Sequence, residues 1–321
     1  MNQHNFVKTA YNTPFIANRA DPYILHEGGK YYFTASVPAF DCVVLRCADT
    51  LEGLRTAPEK ELWHAHESGV MSKHIWAPEI HLIDGKWYVY FAAGEKEDVW
   101  KIRPWMLECE GPDPMQDAWK EAGMVEAMDE FTFQDFSLDM TTTVVGGSRY
   151  CVWAEKVSVG KKISNLYIAR MDGAKKFVTP QMLLTAPTYD WERVGFWVNE
   201  GPAFIEQDGK VFMSFSGSST GPAYCVGLLW ADADADLMDI SVWHKVNHPV
   251  LVTSEEKGLY GPGHNSFFRD DEGNAYMAYH ARQYDEIIGD SLYDINRHTY
   301  IMKVEWKDGM PVFDYENQLF Q

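Results

Sequence analysis

Four carboxylic acids and one histidine recur along this chain of 321 residues at near-constant intervals. Asp21, Glu79, Asp139, Glu200 and His264 lie 58, 60, 61 and 64 residues apart, by subtraction of their numbers. Each opens a short apolar run. Acids gathered around one point raise one another's pKa, so one can stay protonated near neutral pH while another is ionised. Such a pair can cleave a glycosidic bond: one carboxyl protonates the leaving oxygen and the other activates water. A third can tune the acid. The same residues could instead hold a hard cation, or only bind a polar ligand.

The elements that would gather them are β-hairpins. The segments are ADPYILHEGGKYYFTAS from Ala20, APEIHLIDGKWYVYFAAG from Ala77, SLDMTTTVVGGSRYCVWAE from Ser137, NEGPAFIEQDGKVFMSFSG from Asn199 and GHNSFFRDDEGNAYMAYHAR from Gly263. In each, a glycine-centred turn separates an apolar run from a second run rich in Tyr, Trp, Phe and Val, the pattern of a hairpin. Third strands begin near Cys42, Asn165, Ala223 and Thr299, and edge elements end near Trp63, Trp119 and Trp243. About four strands per unit, repeated five times, predicts an all-β, five-bladed β-propeller with antiparallel blades. No linker or composition break divides residues 1–321, so one domain is expected. The first strand of each blade lines the channel, so the five opening residues meet at one end of one axis. The second strand returns to that end and brings back Ser36, Gly94, Glu155, Ser216 and Arg282. Arg282 is thereby placed to pair with a carboxylate or hold a ligand hydroxyl.

The formal net charge of −19 disfavours nucleic acid and anionic membrane surfaces as partners. No apolar run reaches the roughly 18 residues of a membrane span. The opening MNQHNFVK has no basic segment followed by an apolar one, so a cytoplasmic location is expected. Cys42, Cys47, Cys109, Cys151 and Cys225 are irregularly spaced and read as free thiols. The ADADAD run near Asp232 lacks the glycine and terminal glutamate of a calcium loop and reads as a solvated turn. The HAHE run at residues 64–67 is not the spacing of a zinc protease.

ADPYI around Asp21, HIWAPEI around Glu79, SLDMTT around Asp139, VNEGPAF around Glu200 and GPGHNSF around His264 resemble, in that order, glycoside hydrolase family 43. The resemblance runs from about Thr13 to Phe313. It implies a five-bladed propeller with α-L-arabinofuranosidase, β-xylosidase or arabinanase activity and inversion at the anomeric carbon. It implies Asp21 as general base, Glu200 as general acid and Asp139 as the residue that orients and tunes that acid. It implies His264 in the channel near a Ca²⁺ or Na⁺ ion or a water, Arg282 against acid and substrate, and no required cofactor. The runs FTASVPAFDCVVLRCADTLEGL from Phe33 and SNLYIARM from Ser164 look most like the exo-acting α-L-arabinofuranosidases. Phe40-Asp41 stands where those often carry Tyr-Asp, which keeps the ring and loses its hydroxyl. The expected partner is an arabinose-containing oligosaccharide. A xylose-containing one for a β-D-xylosidase is the alternative, followed by endo-arabinanase and a non-catalytic sugar-binding propeller.

Several of these residues also have plainer readings. Asp21 precedes Pro22 and Glu200 precedes Gly201-Pro202, so either could be a turn residue outside the repeat. Glu79 could form a structural ion pair, for instance with an arginine. His264 could be a satisfied channel histidine or hold an ion through waters. Trp76 and Phe40 divide between core packing and the wall of a sugar pocket, since an aromatic ring suits both.

Overall fold

A computed structural model describes residues 6–157 and 163–320. Among them the chain is all β, broken only by short 3₁₀ turns, and no helix is long and apolar enough to cross a membrane. Five antiparallel hairpins form where the glycine turns predict them. They pair Ala20–Glu27 with Lys30–Ser36, Lys73–Ile83 with Lys86–Gly94, Ser137–Val145 with Ser148–Val157, Trp197–Gln207 with Lys210–Gly217, and Tyr260–Arg269 with Ala275–Arg282. Each continues into a third strand: Cys42–Ala48, Arg103–Cys109, Ile163–Asp172, Cys225–Asp232 and His298–Lys303.

The even count of four strands holds in the first, second and fourth units and breaks in the others. The outer part of the third unit is split into Lys176–Phe177 and Met182–Thr185. Its third strand also runs parallel to the next hairpin through Ile163↔Trp197 and Ser164↔Val198, which fuses two units into a nine-stranded sheet. The fifth unit has three strands, and the hairpin of Glu305–Lys307 and Met310–Val312 pairs only with itself. Each first strand packs on the next, and Tyr260–Arg269 packs on Ala20–Glu27, so the five first strands stand in a closed ring. The N-terminal segment seals it: Phe15 N–H donates to Thr299 O at 2.8 Å and Thr299 N–H donates to Ile16 O at 2.9 Å. The core lies between neighbouring hairpins, where Val89, Phe91, Val152, Met213, Phe215 and Met277 are buried. Burying such a side chain contributes about 1.5–3 kcal/mol.

One irregularity is repeated five times. In each hairpin two residues of the first strand oppose one of the second, and the first of the two has positive φ. These residues are Asp21 (53°), Ala77 (45°), Asp139 (56°), Gly201 (55°) and His264 (42°). A bulge of this kind bends the strand and re-aims its side chains. The left-handed backbone costs a non-glycine residue roughly 1–2 kcal/mol. The true structural repeat is therefore the bulge, with intervals of 56, 62, 62 and 63 by subtraction. Asp21, Asp139 and His264 are equivalent positions. Glu200 stands one residue before its bulge and Glu79 two residues after.

Candidate active site

The bulges deliver their side chains to one cavity of about 290 Å³ at the mouth of the ring. Asp21, Asp139, Glu200 and His264 line it together with Trp76, Tyr224 and Arg297. Glu79 does not. Its two-residue offset carries it along the strand, where its Oε2 meets Nε2 of buried His81 at 3.1 Å. The structural partner is a histidine, not the arginine considered from sequence.

Asp21 is almost fully enclosed. Ser36 Oγ donates to its Oδ2 at 2.6 Å, and Oδ1 lies 3.5 Å from Arg297 Nη1 and 3.3 Å from His264 Nδ1. Burial opposes its ionisation, but the charges of His264 and Arg297 outweigh this and hold the carboxyl well below the usual carboxylate range. His280 Nδ1 also lies 3.2 Å from Oδ1. That nitrogen accepts the Asp21 N–H at 3.1 Å and so has no proton to offer the carboxylate. Burial keeps the His280 ring neutral, with its pKa pushed down to about 3.

Asp139 and Glu200 behave in the opposite way. Burial lifts both, and like charges nearby add to the effect: Glu200 and Asp21 on Asp139, and Asp21 on Glu200. Asp139 is pushed up to about 7. Its Oδ2 accepts the Gly201 N–H at 3.0 Å, so it grips the peptide that follows Glu200. A side chain at residue 201 would come within 3.1 Å of the His264 ring, which is why a glycine fits this mount. Tyr224 donates its hydroxyl to Glu200 Oε1 at 2.9 Å. The Tyr224 ring is in turn wedged between His280, stacked at 5.6 Å, and Gly263, where a β-carbon would sit 2.2 Å from the ring. The bond from Tyr224 favours the carboxylate form, so Tyr224→Phe should raise the Glu200 pKa further. The alkaline limb of the pH profile of kcat/KM should then move to higher pH. An unmoved or lowered limb would show that Tyr224 does not govern the acid.

His264 stands between the acids. Burial works against its charge, yet Asp139, Asp21 and Glu200 together raise its pKa. Its Nδ1 lies 3.3 Å from Asp21 and 3.9 Å from Asp139, and its N–H donates to Ser216 Oγ at 2.7 Å. Among the described residues no metal-ligating group of three assembles in this cavity.

The profile of glycosyl hydrolases family 43 matches residues 11–311. The chain belongs to this family. It is 48% identical over 94% of its length to an extracellular exo-α-(1→5)-L-arabinofuranosidase of Streptomyces avermitilis, and spans 63% of that relative. It is 46% identical over 87% of its length to the enzyme of the same name from Streptomyces chartreusis, spanning 85% of it. The crystal structure of an α-L-arabinofuranosidase from Lactobacillus brevis superposes with a TM-score of 0.88 at 43% identity, covering 95% of this chain and 96% of that one. The expectation of a cytoplasmic location is overturned by these comparisons, because the two Streptomyces relatives are named as extracellular enzymes.

Within this family 43 fold the remaining expected residues divide. Trp76 lines the cavity, buried against His74 in a stack at 4.4 Å, and joins core and wall in one ring. Phe40 packs edge-on behind Trp76 at 5.9 Å and borders a smaller crevice with Arg297. Arg282 is buried behind the cavity, donating to Ser291 O at 2.7 Å with its Nε 3.7 Å from Asp294. The arginine that reaches Asp21 is Arg297, which lies outside the repeated segments and so gave no signal. Tyr224 was visible only as one aromatic in a third strand. Of the second-strand residues, Ser36 and Ser216 touch the site. Glu155 accepts instead from Phe133 N–H, Asp135 N–H and the Trp153 indole.

Proposed function

We propose that this chain is an inverting exo-glycosidase that releases terminal α-L-arabinofuranosyl residues from arabinan or arabino-oligosaccharides. The observation that carries the reading is the division of the carboxyls. The charges of His264 and Arg297 hold Asp21 well below the usual carboxylate range, while burial pushes Glu200 above it, and both face one cavity. In the proposed reaction Glu200 gives its proton to the leaving glycosidic oxygen as the C1–O bond breaks. Asp21 takes a proton from the water that attacks C1 from the other face. Asp139 fixes the Glu200 backbone through Gly201. His264 and Arg297 balance the charge of Asp21. No cofactor is required, and no step passes through an ion.

The proposed architecture is a single five-bladed propeller over residues 1–321, each hairpin and its outer strands forming a blade. The closed ring of first strands and the five matching bulges support it. The sugar is read from the names of relatives that share nearly the whole chain. Action at a chain end is supported by Asp290, Ser291 and Leu292, which stand as one wall of the cavity.

Two measurements test the proposal. NMR of the first-formed sugar should show β-arabinose, since direct attack by water inverts an α-link. An α product would rule out Asp21 as a base acting on water. On aryl arabinofuranoside and aryl xyloside in parallel, the arabinofuranoside should be much the better substrate, and arabinan should yield free arabinose alone. Preferred cleavage of the xyloside would replace the sugar assignment, and internal oligomers would replace the exo assignment.

A further inference from the structure

Outside the cavity, the described residues gather one set of three metal-ligating side chains. Cys42, Glu61 and His64 bring a thiol sulfur, a carboxylate oxygen and a ring nitrogen within 4.8 Å of one another. They lie on the two outer strands of the first sheet, Cys42–Ala48 and Lys60–His64. None of them lines the catalytic cavity.

The local backbone explains the convergence. Cys42 and His64 are direct partners across the antiparallel ladder, so their side chains leave on one face. Glu61 is three residues from His64, and the alternation of a regular strand would send it to the other face. The ladder is interrupted at this point. Val43 faces Trp63 and Val44 faces Glu61, which leaves Leu62 as an extra residue. That bulge returns Glu61 to the face of His64, and His64 Nδ1 lies 3.6 Å from Glu61 Oε2. Asp41 adds a second carboxylate beside the Cys42 thiol.

We propose that Cys42, Glu61 and His64 bind a divalent ion of the zinc class, with water as the fourth ligand. Thiolate, imidazole and carboxylate together select such an ion over Ca²⁺ or Mg²⁺, which prefer all-oxygen shells. On binding, the Cys42 thiol releases its proton to solvent and the sulfur becomes the ligand. The ion would clip the edge strand Lys60–His64 to its neighbour Cys42–Ala48. Its role is structural, and hydrolysis proceeds without it.

The test uses the full chain, stripped with a chelator and titrated with Co²⁺ as a spectroscopic probe and Zn²⁺ as competitor. Binding of about one equivalent is expected, with a thiolate-to-cobalt charge-transfer band that Zn²⁺ abolishes. Zn²⁺ should raise Tm, because it binds only the folded chain. Cys42→Ser and His64→Ala should each weaken binding at least about tenfold, with hydrolysis unchanged. Glu61→Gln, a change at an exposed position, provides a second variant should either of these fail to fold. The proposal is overturned if binding does not saturate, or if Cys42→Ser binds Co²⁺ as tightly as the parent.

Discussion

Asp21→Asn is expected to lower kcat by about 10²–10⁴-fold, the range a positioned general base supplies. The amide keeps the shape of the side chain and its bond with Ser36 while removing the charge. The loss should be equal on arabino-oligosaccharide and on aryl arabinofuranoside, because the attacking water needs a base whatever group departs. The substitution also leaves Arg297 and His264 facing a neutral partner inside a buried cluster. Stability should therefore fall as well, since removing one partner of a buried ion pair strands the other. Thermal unfolding of the variant separates the two effects: kcat per folded molecule must still collapse. A folded Asp21→Asn protein with near-parental turnover would remove Asp21 from the chemistry.

Glu200→Ala should produce a loss of similar size on natural oligosaccharides but a smaller one on substrates with strongly acidic phenol leaving groups. A good leaving group departs without a proton, so it does not need the acid. The ratio of the two losses is the diagnostic quantity, and an equal loss on both substrates would argue against Glu200 as proton donor. The pH profile follows from the same division. The proposed mechanism requires Asp21 ionised and Glu200 protonated. With Asp21 held far below the usual range, the acid limb from this group lies below ordinary carboxylate titration. With Glu200 and Asp139 both raised, the alkaline limb lies above it.

Much of this was legible in the sequence because the chemistry sits on the repeat. The hairpins follow from glycine turns between aromatic-rich runs, and three acids and a histidine at strand openings fall into one cavity. What the sequence hid was the register. A polar residue at each opening looked like one repeated position, but the chain counts from the bulge, and a one- or two-residue offset decides which way a side chain points. Glu200 one residue early still enters the cavity, whereas Glu79 two residues late reaches His81. Positive φ at Asp21 and Asp139 has no signature in residue type, since glycine would be the usual choice there. Arg297 and Tyr224 were missed for a different reason. Arg297 arrives from a loop and Tyr224 from the turn just before a third strand, so only tertiary packing brings them to the acids.

The seal between residues 15–16 and Thr299 has a consequence for the order of folding. It joins positions separated by almost the whole chain, and such distant contacts form slowly because the intervening loop must be closed first. The groups that set the state of Asp21 lie far along the chain from it: His264 and Arg297 are among the last parts of the site to leave the ribosome. A nascent chain carries Asp21 early but acquires the charges around it only when residues 264–297 dock. Catalytic competence and ring closure should therefore appear together, in one late step of refolding.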